Sequence, residues 1–177
     1  MTMLNREVTI RVPDSLRETM RGKGVPENVF ERAIGYIDDA VERGAEVVTG
    51  GGRPDNGTIG LFVAPTFLDR IDSTWAVSRE EIFGPVVSVL RWTDEAEAIR
   101  IANSVEYGLT GSIYTNDIRR AHRVARALEA GYVWINGAGP HFQGVPYGGW
   151  KNSGVGREES IEELLSYAQS KSINVML

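Results

Sequence analysis

Strand-like apolar runs alternating with helix-period segments constrain this chain more than any other feature. "VVSVLRW" (86–92) is nearly continuous in its apolar character, as suits a strand covered on both faces. A cap at Thr93 or Asp94 then opens a helix through about Ala102, with Ala98, Ile99 and Ala102 on its inner side. "GSIYT" reads as the next strand. Asn116 or Asp117 begins a second helix, whose apolar stripe is Ile118, Ala121, Val124, Ala125 and Leu128. Gly131 ends it, and "YVWIN" is a further strand. This order predicts right-handed βαβ units: an α/β fold with an open, mostly parallel sheet flanked by helices.

Upstream, Phe30, Ala33, Ile34, Ile37 and Val41 recur at helical spacing after Pro26, and Gly44 is placed to cap that helix. "AEVVTGGG" is a brief strand entering a glycine loop, and "LFVAPTFLDRI" is β-rich with Pro65 at an edge or bulge. Residues 1–24 are atypical. "EVTIRVP" alternates like a half-buried strand, and a short helical piece after Pro13 is broken by "RGKGVP". A length of 177 residues favours one domain, here 25–177. Residues 136–157 form a long glycine-rich loop, a type that is usually functional or disordered. A helix near 160–167 and a terminal strand, "SINVML", complete the expectation.

Several function classes drop out. The net charge of −5 argues against nucleic acid or an anionic membrane as the main partner. No apolar run approaches the ~20 residues of a transmembrane helix. Arg6 and Glu7 interrupt any signal-peptide core, so the expected location is cytoplasmic. The sequence holds no cysteine, which excludes disulfides, thiolate zinc sites and a cysteine nucleophile within these residues. "GAGPHF" and "GVGREE" carry Phe142 and Glu159 where a dinucleotide-binding loop needs its third glycine. His122 lies mid-helix among arginines, and His141 has no second ligand at metal spacing. No G-x-S-x-G elbow is present.

What remains is "REEIFGP" together with the long loop, both at the carboxyl ends of predicted elements or just beyond the sheet, the rim where open α/β sheets bind ligands. An ionised Glu81 has the acceptors to hold two vicinal ribose hydroxyls, and Phe83 has the ring to lie against a planar group. Spacing leaves open the plainer reading, with Glu81 capping a turn and Phe83 in the core.

"EEIFGPVVSVLRWTDEAEAIRIANSVEYGLTGSIYTND" and "GYVWINGAGPHFQGVPYGGWKNSGVGREESIEELLSYAQSKSINV" strongly resemble the carboxyl-terminal part of the NAD(P)-dependent aldehyde dehydrogenases, from roughly Phe30 onward. The resemblance implies that Glu81 binds the nicotinamide ribose of NAD or NADP and that Phe83 sits beside the nicotinamide. It implies substrate-tunnel roles for Asn136, His141, Phe142 and Tyr147, and "PYGGWKNSG" matches the family signature P-[FY]-G-G-x-K-x-S-G. It also implies that the terminal strand serves oligomerisation, as a homo-oligomer or with a fuller chain of the family. Members of this family use a cysteine thiolate, hydride transfer to the nicotinamide and a glutamate-activated water. The matching cysteine, base glutamate and Rossmann domain are not among these residues. The expectation is therefore an aldehyde-oxidising family member that is inactive alone. The alternative is a non-catalytic assembly or binding partner.

Overall fold

The structure is a computed structural model that describes residues 27–54 and 60–176. The strand expected in "EVTIRVP" and the helical piece after Pro13 lie outside the described residues. The chain divides into two compact units, Met1–Arg91 and Trp92–Leu177.

In the first unit, α1 (Glu27–Glu42) buries Phe30, Ala33 and Ile37 as its spacing implies, with Ile34 partly buried; Ala40 is buried in place of Val41, which is exposed. Gly44 closes it at φ 102°, with its N–H donating to the Val41 carbonyl at 2.9 Å. Glycine reaches that backbone region without a Cβ clash, which is why it terminates the helix. β1 (Glu46–Thr49) pairs antiparallel with β2 (Thr66–Asp69), and β2 pairs parallel with β3 (Val86–Ser88). Pro65 stands just before β2, where its missing N–H leaves the ladder intact. Leu68 is 0% exposed and joins Phe30, Ile37, Val77 and Ile82 in one apolar cluster. Buried Thr66 is satisfied locally: its hydroxyl donates to the Ala64 carbonyl at 2.8 Å and accepts from the Gly51 N–H at 2.9 Å. β3 is shorter than the run 86–92 implies and stands at the edge of the order β1-β2-β3, with Val87 exposed. The exposure of Val87 leaves one face of β3 open among the described residues, so it is not covered on both faces. α2 (Ala76–Arg79) is a single turn.

In the second unit, Asp94 caps α3 (Glu95–Ala102) by accepting from the Glu97 N–H at 2.8 Å, and Glu97 reaches back to the Thr93 N–H at 2.8 Å. The pair resembles a capping box, with Glu97 bonding the N–H of the residue before the cap rather than that of the cap itself. Asp117 caps α4 (Ile118–Ala127) through the Arg119 and Arg120 N–H groups at 2.9 and 3.1 Å. α4 buries Ala121 as its stripe implies, whereas Ile118 is exposed. It connects β5 (Thr110–Ile113) to β6 (Tyr132–Ile135), which pair parallel from Thr110↔Tyr132 to Ile113↔Ile135. This is the βαβ unit the spacing predicts. β4 (Tyr107–Gly108) pairs antiparallel with β7 (Trp150–Lys151), and α5 (Ile161–Ser166) follows. Residues 168–176 form no strand, so the terminal strand expected from "SINVML" is not formed by the described residues of the single chain.

The α/β class holds, and the parallel pair joined by α4 is one the sequence implies; the pairing it implies between 86–92 and "GSIYT" is not formed among the described residues, where β3 pairs parallel with β2 instead. Among the described residues the strands lie in three small sheets rather than one open sheet.

Candidate functional site

Burial of a single residue builds the turn in the first unit. Ile82 is held in the core, so its neighbours Glu81 and Phe83 are left at the surface. Gly84 then brings the backbone close to α1; a Cβ there would stand 3.1 Å from the Cβ of Ala33. Two α1 side chains one turn apart hold the segment. Arg32 Nη2 donates to the Glu81 carbonyl at 2.5 Å, and the Tyr36 hydroxyl donates to Glu80 Oε2 at 2.5 Å. That bond to the Glu80 carboxylate raises the Tyr36 phenol above its ordinary value of 10.0.

The two adjacent glutamates therefore separate in role. Glu80 is consumed by the tether, while the Glu81 side chain is exposed and engages no hydrogen-bond or ion-pair partner among the described residues. Phe83 is 70% exposed and sits at φ 55°, a region that a bulky L-residue occupies only under strain. The Arg32 guanidinium lies 5.9 Å from its ring centroid and 5.7 Å from that of Tyr36. The plainer alternative for Phe83, a core side chain, is not what the structure shows.

In the second unit the glycine-rich loop is tightly tied. Asn136 adopts φ 55°. Its Oδ1 accepts from the Thr115 N–H at 2.8 Å, and its Nδ2 donates to the Thr115 carbonyl at 2.9 Å. The side chain thus extends the β5–β6 ladder by one rung, with both amide groups engaged. Trp134 Nε1 donates to the Pro140 carbonyl at 2.8 Å, pinning the loop over β6. His141 and Tyr147 come together with ring centroids 4.3 Å apart, and His141 lies 5.6 Å from Tyr132 and 6.0 Å from Trp134. Phe142, 61% exposed, lines an adjacent open hollow of about 490 Å³ with Trp134, Pro140 and Val145.

The glycine–lysine signature is architectural. Lys151, with its side chain only 24% exposed, donates to the Asn103 and Val105 carbonyls at 2.7 and 3.0 Å and pairs with Glu129 at 2.6 Å. It thereby satisfies carbonyls left over at the end of α3. Ser153 Oγ accepts from the Gly108 N–H at 2.9 Å. Tyr147 and Glu158 exchange backbone hydrogen bonds of 3.0 and 2.7 Å, closing the loop on itself.

Sequence reasoning did not pick out Arg32 and Tyr36 as the braces of the turn, nor Tyr132 and Trp134 as the floor beneath the loop. The i, i+4 pair on α1 was the available signal for the braces, and the aromatics of "YVWIN" for the floor. Among the described residues no cluster of three acidic or histidine side chains fits a metal ion, and no helix is long and apolar enough to cross a membrane. A free carboxylate beside an exposed ring can hold a diol and a planar heterocycle. A cluster of tilted aromatic rings can guide a small organic molecule.

The sequence model described as the aldehyde dehydrogenase family matches residues 2–173, so the likeness reaches into residues 1–24 as well. The aldehyde dehydrogenase tropH of Talaromyces stipitatus is 46% identical over 98% of this chain and 37% of its own length. The peroxisomal aminoaldehyde dehydrogenase 1 of Pisum sativum is 40% identical over 93% of this chain and 33% of its own. The crystal structure of the Mycobacterium tuberculosis aldehyde dehydrogenase complexed with NAD+ is 38% identical, with a TM-score of 0.77 over 81% of this chain and 30% of that one. Betaine aldehyde dehydrogenase from Staphylococcus aureus in complex with NAD+ is 42% identical, with a TM-score of 0.75 over 80% and 28%. This chain spans roughly a third of the length of the curated relatives it matches, 37% and 33% for the two named. Over nearly all of its own length it belongs to the aldehyde dehydrogenase family.

Proposed function

We propose that this chain serves NAD- or NADP-dependent aldehyde oxidation by gripping the nicotinamide riboside and lining the aldehyde path. On this reading the nucleophile and most of the dinucleotide contacts come from polypeptide outside these 177 residues. The observation that carries the proposal is the contrast between Glu80 and Glu81: one tethered to Tyr36, the other exposed and uncommitted beside the ring of Phe83. The Glu81 carboxylate holds the two ribose hydroxyls, and Phe83 limits where the nicotinamide ring can lie. When bound, the nicotinamide supplies the hydride acceptor for aldehyde oxidation. Arg32 and Tyr36 fix the turn so that neither contact requires a rearrangement, which is the advantage of preorganisation. In the second unit His141, Phe142 and Tyr147 form the aromatic wall, while Asn136 braces the strand ends from which that loop departs. No cysteine is present to attack an aldehyde.

Titrating the purified chain with nicotinamide mononucleotide tests this grip. Saturable binding that perturbs the Phe83 ring resonances is expected. Glu81→Gln should weaken it about tenfold, since each lost charge-assisted hydrogen bond is worth roughly 1.5–3 kcal/mol. Equal binding by wild type and E81Q would contradict the proposal.

A second reading, assembly, is favoured by the apolar surface of α5 and the residues after it. Ile161, Leu164, Leu165, Tyr167, Ile173 and Val175 are all exposed in the single chain. So many large apolar side chains exposed within residues 161–175 are unusual for an isolated chain, and we propose that a second copy covers them. Sedimentation should show a dimer or larger species at high micromolar concentration; a clean monomer would count against it.

A further inference from the structure

The side chain of Glu159 lies outside every role assigned above, and its setting is unusual. Its backbone has φ 60°, in the left-handed region that favours glycine. Two contacts hold it there: its N–H donates to Glu163 Oε2 at 2.8 Å, and its carbonyl accepts from the Gly144 N–H at 2.9 Å. From that position Glu159 Oε1 lies 2.7 Å from Nδ1 of His141, across 18 residues of chain. A carboxylate accepts and does not donate, so Nδ1 carries the proton of this bond. The imidazole also packs against two aromatic rings, with centroids 4.3 Å from Tyr147 and 6.0 Å from Trp134, the latter at an interplanar angle of 24°. Nδ1 is therefore occupied and the ring is packed among aromatics, while Nε2 engages no partner among the described residues and the side chain keeps about 35% of its surface.

We propose that Glu159 is a positioning residue. Whenever the ring is neutral, it holds His141 as the Nδ1–H tautomer, so that Nε2 is a fixed hydrogen-bond acceptor on the aromatic wall. The ligand class this selects is an aldehyde carrying a hydroxyl donor on its distal end, such as a phenolic aldehyde. The aromatic rings receive its apolar body and Nε2 receives its O–H. A ring nitrogen fixed by a carboxylate on the opposite nitrogen is the usual way a protein sets imidazole orientation. The inference rests on the loop being the aldehyde wall, and it names what that wall discriminates.

The test uses the whole chain with ¹⁵N-labelled histidine. The chain has two histidines, and His122 on α4 serves as the internal reference. Long-range ¹H–¹⁵N spectra under alkaline conditions should show His141 with a pyrrole-type Nδ1 and a pyridine-type Nε2. Glu159→Ala should abolish that pattern, and Glu159→Gln, whose amide oxygen still accepts, should restore it. Adding 4-hydroxybenzaldehyde should shift the Nε2 resonance and bind about 3–10-fold more tightly than 4-methylbenzaldehyde, the worth of one hydrogen bond. The preference should vanish in E159A. A His141 tautomer insensitive to E159A overturns the proposal, as does equal binding, or no binding, of the two aldehydes. The nicotinamide mononucleotide titration probes the first unit alone, so its failure with this preference intact would remove the cofactor reading and leave the subsite standing.

Discussion

The turn at Glu81–Phe83 and the loop at 136–159 both carry motifs of one family, yet they are built in opposite ways. In the turn, backbone and neighbouring side chains do the holding, and the two candidate ligand-binding groups are left free. In the loop, Asn136, Lys151 and Ser153 are themselves the fasteners, each spending its polar atoms on backbone groups of nearby segments. A residue's place in a family motif therefore does not say whether it meets a ligand. The partners of its polar atoms do.

The contrast can be broken most sharply at a glycine of the fastened region. A Cβ on Gly131 would stand 1.8 Å from the Gly148 carbonyl oxygen, whereas one on Gly137 meets nothing within 4 Å. Gly131→Ala should cost the second unit about 3 kcal/mol or more, as other backbone clashes do, and Gly137→Ala should be close to neutral. Urea denaturation followed by circular dichroism measures both; a neutral G131A would mean the loop is not packed as described.

Lys151→Ala is the next largest effect. It orphans two carbonyls and the Glu129 carboxylate, and should destabilise by about 2 kcal/mol, read as a lower urea midpoint at unchanged slope. In the turn, the corresponding change runs the other way. Phe83→Gly relieves the φ 55° backbone at the expense of the ring's weak contact with Arg32, so stability should be unchanged or rise by up to about 1 kcal/mol while nicotinamide mononucleotide binding falls. A large loss of stability in F83G would place Phe83 among the fasteners.

Acid separates the units more gently. Hydrogen bonding by Arg91 holds the mostly buried Asp69 carboxyl below its ordinary value of 3.8, and Arg123 does the same for Glu95 relative to 4.5. A depressed folded-state value means the stabilisation is fully present above the unfolded value and is lost as pH falls through the folded one. Both units should therefore weaken below about pH 4. Taken residue by residue, protonating Asp69 should cost more than protonating Glu95, because the Asp69 side chain is 13% exposed against 31% for Glu95. Asp69→Asn should flatten the first unit's pH dependence in denaturation curves taken between pH 7 and 3.

Much of this was legible in the residues. Helix caps, each narrowed to two neighbours of which Asp94 and Asp117 serve, the terminating Gly44 and the parallel pair around α4 follow from local chemistry that acts within a few positions. The strand at 86–92 was overextended, because an apolar run reveals affinity for a core and not how many partner strands stand beside it. The order of Glu80 and Glu81 was legible as a motif, but their division of labour was not. It depends on Tyr36, 44 positions earlier, and sequence spacing carries no signal at that range. The Glu159–His141 bond, spanning 18 positions, was hidden for the same reason.

The central claim is that this chain forms the walls of an aldehyde-oxidising site without supplying its nucleophile. Purified protein, shown to be folded by circular dichroism, should be mixed with NAD or NADP and 4-hydroxybenzaldehyde and followed at the absorbance of the reduced nicotinamide. No rise above the protein-free rate is predicted. Sustained cofactor reduction by the pure chain would contradict the account.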